Sequence, residues 1–334
     1  MTISSTPTDL AAGQTVLAAD VHWSDFWDFS VTADLLHYDF VLQAMLALAL
    51  LGLLGGVLAP LIVVRQMSFA VHGASELSVT GAAAALLAGI SVNIGGIIGA
   101  VVAAGVFGYL GIKARERDSV IGVVMAFGLG LGVLFLALYG RIGTGFALLT
   151  GQVVSVGVQG LAAIAITTVV VLAVLAVIYR PLLFASMDPR VAEANGVPMR
   201  ALSVIFAILM GLACAQGVQI IGALLVMSLM ITPGAAAARL TANPTLMMVL
   251  SVIFAEVAAV GGLILSLAPK LPVSVFVTTI SFVIYVICRQ IAARRPPRAD
   301  RSAPTAAPDP YAAAALIARR VVCSRRAPIW RQIT

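Results

Sequence analysis

An imidazole and a carboxylate lie one helical turn apart in the apolar stretch MSFAVHGASELSVTGAAAALLAG, at His72 and Glu76. Residues four apart in an α-helix differ by about 40° around the axis and about 6 Å along it. The two side chains therefore point the same way, and Thr80 continues the line. One imidazole nitrogen and one carboxylate oxygen can bind a divalent first-row transition metal. The spacing predicts a metal site at His72 and Glu76.

A second acid, Glu256, lies in the middle of another apolar segment. Of the 14 acids and three histidines, only Glu256, Glu76 and His72 fall within predicted membrane spans. A charged group at the centre of a membrane helix costs roughly 2.5–3.5 kcal/mol on insertion scales, so such groups usually face the bundle interior and mark an ion route. Glu256 is therefore a candidate third ligand. The alternative is a structural hydrogen bond from His72 to Glu76, with Glu256 protonated in a helix interface.

The elements that must position these residues are membrane-spanning helices. The chain has 334 residues, is 61% hydrophobic and has a mean hydropathy of +1.08, whereas soluble domains are about half apolar. Repeated apolar runs of about 20 residues predict an all-α polytopic bundle. We place nine spans at residues 40–64, 68–89, 93–111, 120–139, 159–180, 200–216, 218–238, 245–267 and 272–289.

The basic residues predict the orientation of this bundle. With the N-terminus outside and the C-terminus in the cytoplasm, all of the 20 Lys and Arg residues except Arg141 and Lys270 fall on the inner side. The net charge of +6 therefore reflects topology and does not require a nucleic-acid partner. The link QGVQ (216–219) predicts a tight outer hairpin, and residues 141–160 an interfacial or re-entrant outer segment. Glycine pairs spaced for close helix approach are Gly52/Gly56, Gly95/Gly99 and Gly128/Gly132.

Three regions follow from this arrangement. Residues 1–39 form an acidic, aromatic extracellular arm, and residues 40–290 form the transmembrane domain. Residues 291–334 form a basic cytoplasmic tail, which we expect to be disordered because it is rich in Pro, Ala and Arg.

The inner loop SMDPRVAEANGVPMRAL (186–202) has residues that favour both the start and the end of one short helix. Asp188 suits the N-cap and Pro189 the first helical position. Gly196 suits the C-terminal stop, and Pro198 blocks continuation. This helix is either a plain amphipathic connector or a docking helix for a separate soluble subunit.

Three stretches within residues 40–290 resemble the membrane permease of bacterial ABC importers for zinc, manganese or iron. DPRVAEANGVPMRALS (188–203) is similar to the family's ATPase-coupling segment. GVQIIGALLVMSLMITPGAAAARLT (217–241) resembles its most recognisable stretch, a Thr-Pro followed by Ala-rich sequence and Arg. VVRQMSFAVHGASELSVTGAAAALLAG (63–89) resembles the end of the first helix and the metal-facing second helix.

The resemblance implies a homodimeric permease in the bacterial plasma membrane that works by alternating access. It implies cytoplasmic ATP-binding subunits and an extracellular metal-binding protein as partners, with the lipid bilayer around it. The chain would then be no enzyme, since ATP is hydrolysed in the partner, and would hold no permanently bound cofactor. The coupling surface implied by the resemblance is Asp188, Arg190, Glu193 and Gly196.

The sequence departs from the family at the metal-facing helix. Family members often have Asp and then His four residues later, whereas here His72 takes the Asp position and Glu76 the His position. Either order supplies one nitrogen and one carboxylate, so metal binding is kept. The transported ion stays open between Zn²⁺ and Mn²⁺, with iron as a further possibility. Zinc is favoured because a nitrogen ligand is present and zinc uptake is common in the family.

Three other functions compete with a metal importer. In a proton- or ion-coupled secondary transporter, Glu76 and Glu256 would carry protons, but the docking-like loop would be unexplained. A permease for a metal chelate such as a siderophore or cobalamin needs a wide, uncharged channel, which the His–Glu pair disfavours. A membrane scaffold without transport is disfavoured by three ionisable groups at membrane depth.

Overall fold

A computed structural model of the chain describes residues 38–110, 114–139, 157–267, 269 and 272–294. All regular structure in these ranges is helical, which confirms the predicted all-α class. The helices are α1 (Asp39–Val64), α2 (Ser68–Ala88), α3 (Val92–Leu110), α4 (Ala114–Tyr139), α5 (Val158–Met187), α6 (Pro189–Ala194), α7 (Met199–Ile221), α8 (Ala223–Leu240), α9 (Pro244–Leu267) and α10 (Val273–Ala293).

Seven helices in the described ranges are long and apolar enough to cross a membrane: α1, α3, α4, α5, α7, α9 and α10. The helix α2 is not among them, because its Ser, His, Glu and Thr residues lower its hydropathy. In α8, the described apolar stretch is Val226–Leu240. The predicted count of nine spans and their orientation therefore stay predictions.

The predicted hairpin at residues 216–219 is wrong in its position, because α7 continues through them to Ile221. The chain turns at Gly222, where φ is 86° and ψ is 157°, a backbone region that is essentially reserved for glycine. Gly217, within the predicted link, is a packing residue instead. A Cβ there would lie 3.0 Å from a methyl of Val226 on α8, so its small size lets the two helices approach.

Two helices, α1 and α7, form the interior of the bundle. Their most apolar stretches are 67% and 72% buried, whereas those of α4 and α10 are 17% buried. The largest contacts join α2 to α3 and α4, α3 to α7, and α1 to α8 and α9. The helix α2 is thus enclosed by neighbours, while the apolar outer faces of α4 and α10 suit contact with lipid.

The three predicted glycine pairs each lie where two helices meet. The pairs on α3 and α4 both face α2, and the pair on α1 faces α9. A Cβ on the α3 pair would overlap the α2 backbone, and one at the second glycine of the α1 pair would lie 2.6 Å from Val252 Cα. The predicted close approach is confirmed for Gly95/Gly99, Gly128/Gly132 and Gly52/Gly56.

Several predicted regions lie wholly or mostly outside the described residues. They are the extracellular arm (1–39), the outer segment (141–160) and the cytoplasmic tail (291–334). The chain divides into a compact unit, Met1–Ala292, and a second unit, Ala293–Thr334. The predicted domain boundaries stay predictions.

Candidate functional site

The helix α2 begins at a tight corner after α1. Gln66 adopts a left-handed backbone conformation with φ 54°, and the Met67 N–H donates to the Ile62 carbonyl at 2.9 Å. This is the hydrogen-bond pattern that closes a helix with a left-handed residue, a place usually taken by glycine. The corner leads directly into Ser68, the first residue of α2. It therefore fixes the position of the first turn of α2, which precedes His72.

His72 is half-buried on the second turn of α2. Its Nδ1 atom is buried and has no hydrogen-bond partner among the described residues. The ring centroid of Phe69 lies 6.3 Å from that of His72, tilted by 48°. Buried polar atoms normally have a partner, so an unpaired imidazole nitrogen at this depth fits a group that binds a ligand.

Glu76 is buried, with 7% of its surface exposed. The backbone around it is held firmly: the Ser75 hydroxyl donates to the His72 carbonyl at 2.8 Å. The Thr80 hydroxyl lies 3.3 Å from the Glu76 carbonyl and 3.0 Å from the Gly128 carbonyl of α4. No hydrogen bond joins the His72 and Glu76 side chains in the described part of the chain, so their proximity does not rest on a mutual bond.

Glu256 lies in a different place, on α9 against α1. It is half-buried, and a Cβ added at Gly52 would be 3.2 Å from its Oε1 atom. Within the described ranges, no group of three or more His, Cys, Asp or Glu residues is placed to hold a metal ion. The structure thus presents His72 and Glu76 on one helix face and does not add Glu256 to them.

The inner loop forms the short helix that its start and stop residues predict. The Asp188 carboxylate accepts a hydrogen bond from the Val191 N–H at 3.1 Å, and Pro189 is the first helical residue. Gly196 follows the helix with φ 77°, a conformation that favours glycine. The predicted cap, first position and stop are all confirmed as local structure.

The helix α6 has one buried face and one exposed charged face. Ala192 is fully buried and anchors the helix to the bundle. Arg190, Glu193 and Gly196 are exposed. An anchored helix that presents opposite charges outward suits contact with another subunit, although the residues alone do not identify that subunit.

The prediction from sequence missed the role of Arg65, which it counted only as an inner positive charge. Its guanidinium lies 5.5 Å from the centroid of the Phe206 ring on α7. Its Nη1 donates to the Ser186 hydroxyl at the end of α5, at 3.2 Å. These partners are more than 100 residues away in the chain, so no local pattern indicated them.

Known proteins are similar to this chain in sequence. The model of the ABC 3 transport family matches residues 37–292. The manganese transport system membrane protein MntC of Halalkalibacterium halodurans is 32% identical over 236 residues, 70% of this chain and 80% of that protein. The high-affinity zinc uptake system membrane protein ZnuB of Haemophilus influenzae is 25% identical over 231 residues, 69% of this chain and 88% of that protein.

A solved structure has the same fold. PsaBC from Streptococcus pneumoniae, in complex with Fab, aligns with a TM-score of 0.69 at 22% identity, covering 78% of this chain and 94% of that one. The family match spans both the His72–Glu76 helix and the helix α6. The chain belongs to the ABC 3 transport family, and it is a multi-pass, all-helical permease of an ABC importer in the bacterial plasma membrane.

Proposed function

We propose that this permease carries a divalent transition metal ion into the cytoplasm by alternating access, with His72 and Glu76 as the residues that bind the ion in transit. The observation that carries this proposal is the buried, unpaired His72 Nδ1 one turn from the buried Glu76. The two side chains offer the nitrogen and oxygen ligands that first-row metals accept.

Manganese is the ion we place first, ahead of the zinc that the imidazole favours. The relative at 32% identity is named for manganese transport, and the relative named for zinc is 25% identical. Carboxylate oxygen suits Mn²⁺, and imidazole suits Zn²⁺ as well, so the ligand set accommodates both. Zinc therefore stays the second ion to test.

Two ligands from the chain suit transport better than storage. A transported ion must be held strongly enough to be selected and weakly enough to leave. The ligands act as neutral imidazole and carboxylate, so protons compete with the metal. Glu256 is proposed as a separate polar position on the α1–α9 interface that an ion or a proton contacts in passing.

The remaining parts of the proposal concern the partners. The permease is expected to work as a homodimer that receives metal from an extracellular binding protein. Cytoplasmic ATP-binding subunits hydrolyse ATP, and α6 docks on them through Asp188, Arg190, Glu193 and Gly196. Support comes from the anchored, outward-charged form of α6.

Metal uptake in cells that lack their own importers tests the proposal. The permease is co-expressed with its ATP-binding subunit and its extracellular binding protein. Uptake of radiolabelled Mn²⁺ and Zn²⁺ is measured for wild type, His72→Ala and Glu76→Ala at matched membrane abundance. Ser78→Ala is the control, because Ser78 is also buried on this helix but faces α3 at Gly96.

We expect ATP-dependent uptake that is lost in both ligand variants and kept in Ser78→Ala. Uptake that survives in His72→Ala and Glu76→Ala would return the pair to a structural role. Uptake that persists after ATP depletion but stops when the proton gradient collapses would favour a secondary transporter.

A further inference from the structure

We propose that Arg65 is a positioning residue that links the docking helix α6 to the metal-binding helix α2. The inference rests on the proposed function and deepens it, because it names how movement at the ATP-binding subunits reaches His72 and Glu76. It is carried by three contacts that Arg65 brings to one corner of the bundle.

The first two contacts lie on the helices that flank α6. The hydrogen bond from Arg65 Nη1 reaches Ser186 on α5, two residues before the Asp188 cap of α6. The Phe206 ring, 5.5 Å from the guanidinium, belongs to the second turn of α7, which follows α6. A cation within about 6 Å of an aromatic centroid is attracted to the ring face. One side chain therefore holds both ends of the loop that carries α6.

The third link is the chain itself, since Arg65 is the C-cap residue that follows α1. Three residues later α2 begins at Ser68. The corner between them is stiff because Gln66 is left-handed and Met67, at 2% exposure, is buried. A displacement of the Ser186 or Phe206 side of the loop is thus passed to the first turn of α2, directly before His72.

An ordinary basic residue at the membrane border would extend its charged end to water. Arg65 instead is half-buried and directs its guanidinium to Ser186 and Phe206. Ser186 is itself held in place, because its hydroxyl donates to the Leu182 carbonyl at 2.6 Å. The geometry is that of a fixed contact between helices rather than of a solvated charge.

The complete complex, reconstituted in proteoliposomes with its ATP-binding subunit and binding protein, tests this inference. Metal transported per ATP hydrolysed is measured for wild type, Arg65→Met, Arg65→Lys and Ser186→Ala, with Mn²⁺ as the probe. Binding of Mn²⁺ to the detergent-purified permease is measured in parallel. Ser186→Ala removes the hydrogen bond from Arg65, together with the local bond from the Ser186 hydroxyl to the Leu182 carbonyl. It leaves the arginine in place, which covers the case in which Arg65→Met fails to assemble.

We expect Arg65→Met to hydrolyse ATP and bind Mn²⁺ as wild type does, yet to transport about tenfold less Mn²⁺ per ATP, the size expected for losing a hydrogen bond from a charged group. Ser186→Ala should lose about threefold, as for a single hydrogen bond, and Arg65→Lys should recover part of the loss. An unchanged transport-to-ATP ratio in Ser186→Ala and Arg65→Met would overturn the role of Arg65. Wild type that transports neither Mn²⁺ nor Zn²⁺ would instead refute the proposed function, and the inference with it.

Discussion

Glu76 and Glu256 are both acids at membrane depth, but their surroundings differ. Glu76 is buried on α2, one turn from an imidazole whose buried nitrogen has no hydrogen-bond partner among the described residues. The helix α2 is enclosed by α3, α4, α7 and α8. Glu256 is half-buried on α9, where its carboxylate lies against Gly52 of α1. The neighbour of Glu76 is His72, a potential second ligand. The neighbour of Glu256 is Gly52, which has no side chain and leaves room for the carboxylate.

This difference shows that depth in the membrane does not by itself make an acid a metal ligand. A divalent ion needs at least two groups that reach it together, and α2 offers them within one turn. At the α1–α9 interface, glycine makes room for one carboxyl group between two helices. We therefore propose metal binding for Glu76, and a helix-contact or transient role for Glu256.

The largest expected effect separates the two acids directly. Glu76→Gln should lower the initial rate of ATP-dependent Mn²⁺ uptake by at least about 100-fold, more than is typical when a residue only supports a ligand. Glu256→Gln should leave the rate within about threefold of wild type, as for a lost hydrogen bond. Equal losses in the two variants at matched membrane abundance would remove the distinction.

An exchange variant sharpens the assignment of the pair. His72→Asp combined with Glu76→His keeps one nitrogen and one carboxylate at the same spacing. We expect Mn²⁺ uptake within about tenfold of wild type, as when only the support of a ligand is changed. Each single substitution leaves two carboxylates or two imidazoles and should be less active than the double variant. A double variant as inactive as the singles would mean that the order of the ligands, and not only their types, is required.

A stability measurement probes the interface around Glu256. At Gly56, one turn after Gly52, a Cβ would lie 2.6 Å from the Val252 Cα and 3.1 Å from the Ala255 Cβ. Because backbone cannot move aside cheaply, Gly56→Ala should lower the free energy of unfolding by about 2 kcal/mol. Thermal unfolding of the purified protein in detergent measures this, and an unchanged midpoint would contradict the close packing of α1 on α9.

The smallest effect is expected at Gly52 itself. A Cβ there would lie 3.2 Å from the Glu256 Oε1 atom and 3.3 Å from the Ala259 Cβ. The carboxyl group can rotate away, and neither contact is with backbone. Gly52→Ala should therefore cost less than about 1 kcal/mol in the same experiment. A loss as large as that of Gly56→Ala would show that the Glu256 carboxyl group is held in place. That result would favour a functional role for Glu256.

Local sequence predicted the helices well where their ends are marked by local chemistry. The predicted span 68–89 agrees with Ser68–Ala88, and 40–64 with Asp39–Val64, because polar residues and a left-handed Gly89 bound them. The helix α6 was predicted from its cap, its proline and its glycine. The predicted hairpin at 216–219 was misplaced, because Gly217 serves helix packing and Gly222 makes the turn.

The sequence by itself determined the all-helical membrane bundle, the one-turn spacing of His72 and Glu76, and the short helix α6. These depend on hydropathy and on residues within a turn or two of each other. Only the tertiary structure decided that Glu256 meets Gly52 rather than Glu76, and that Arg65 meets Ser186 and Phe206. Such pairs are set by how whole helices pack, and no spacing along the chain encodes which helix faces lie together.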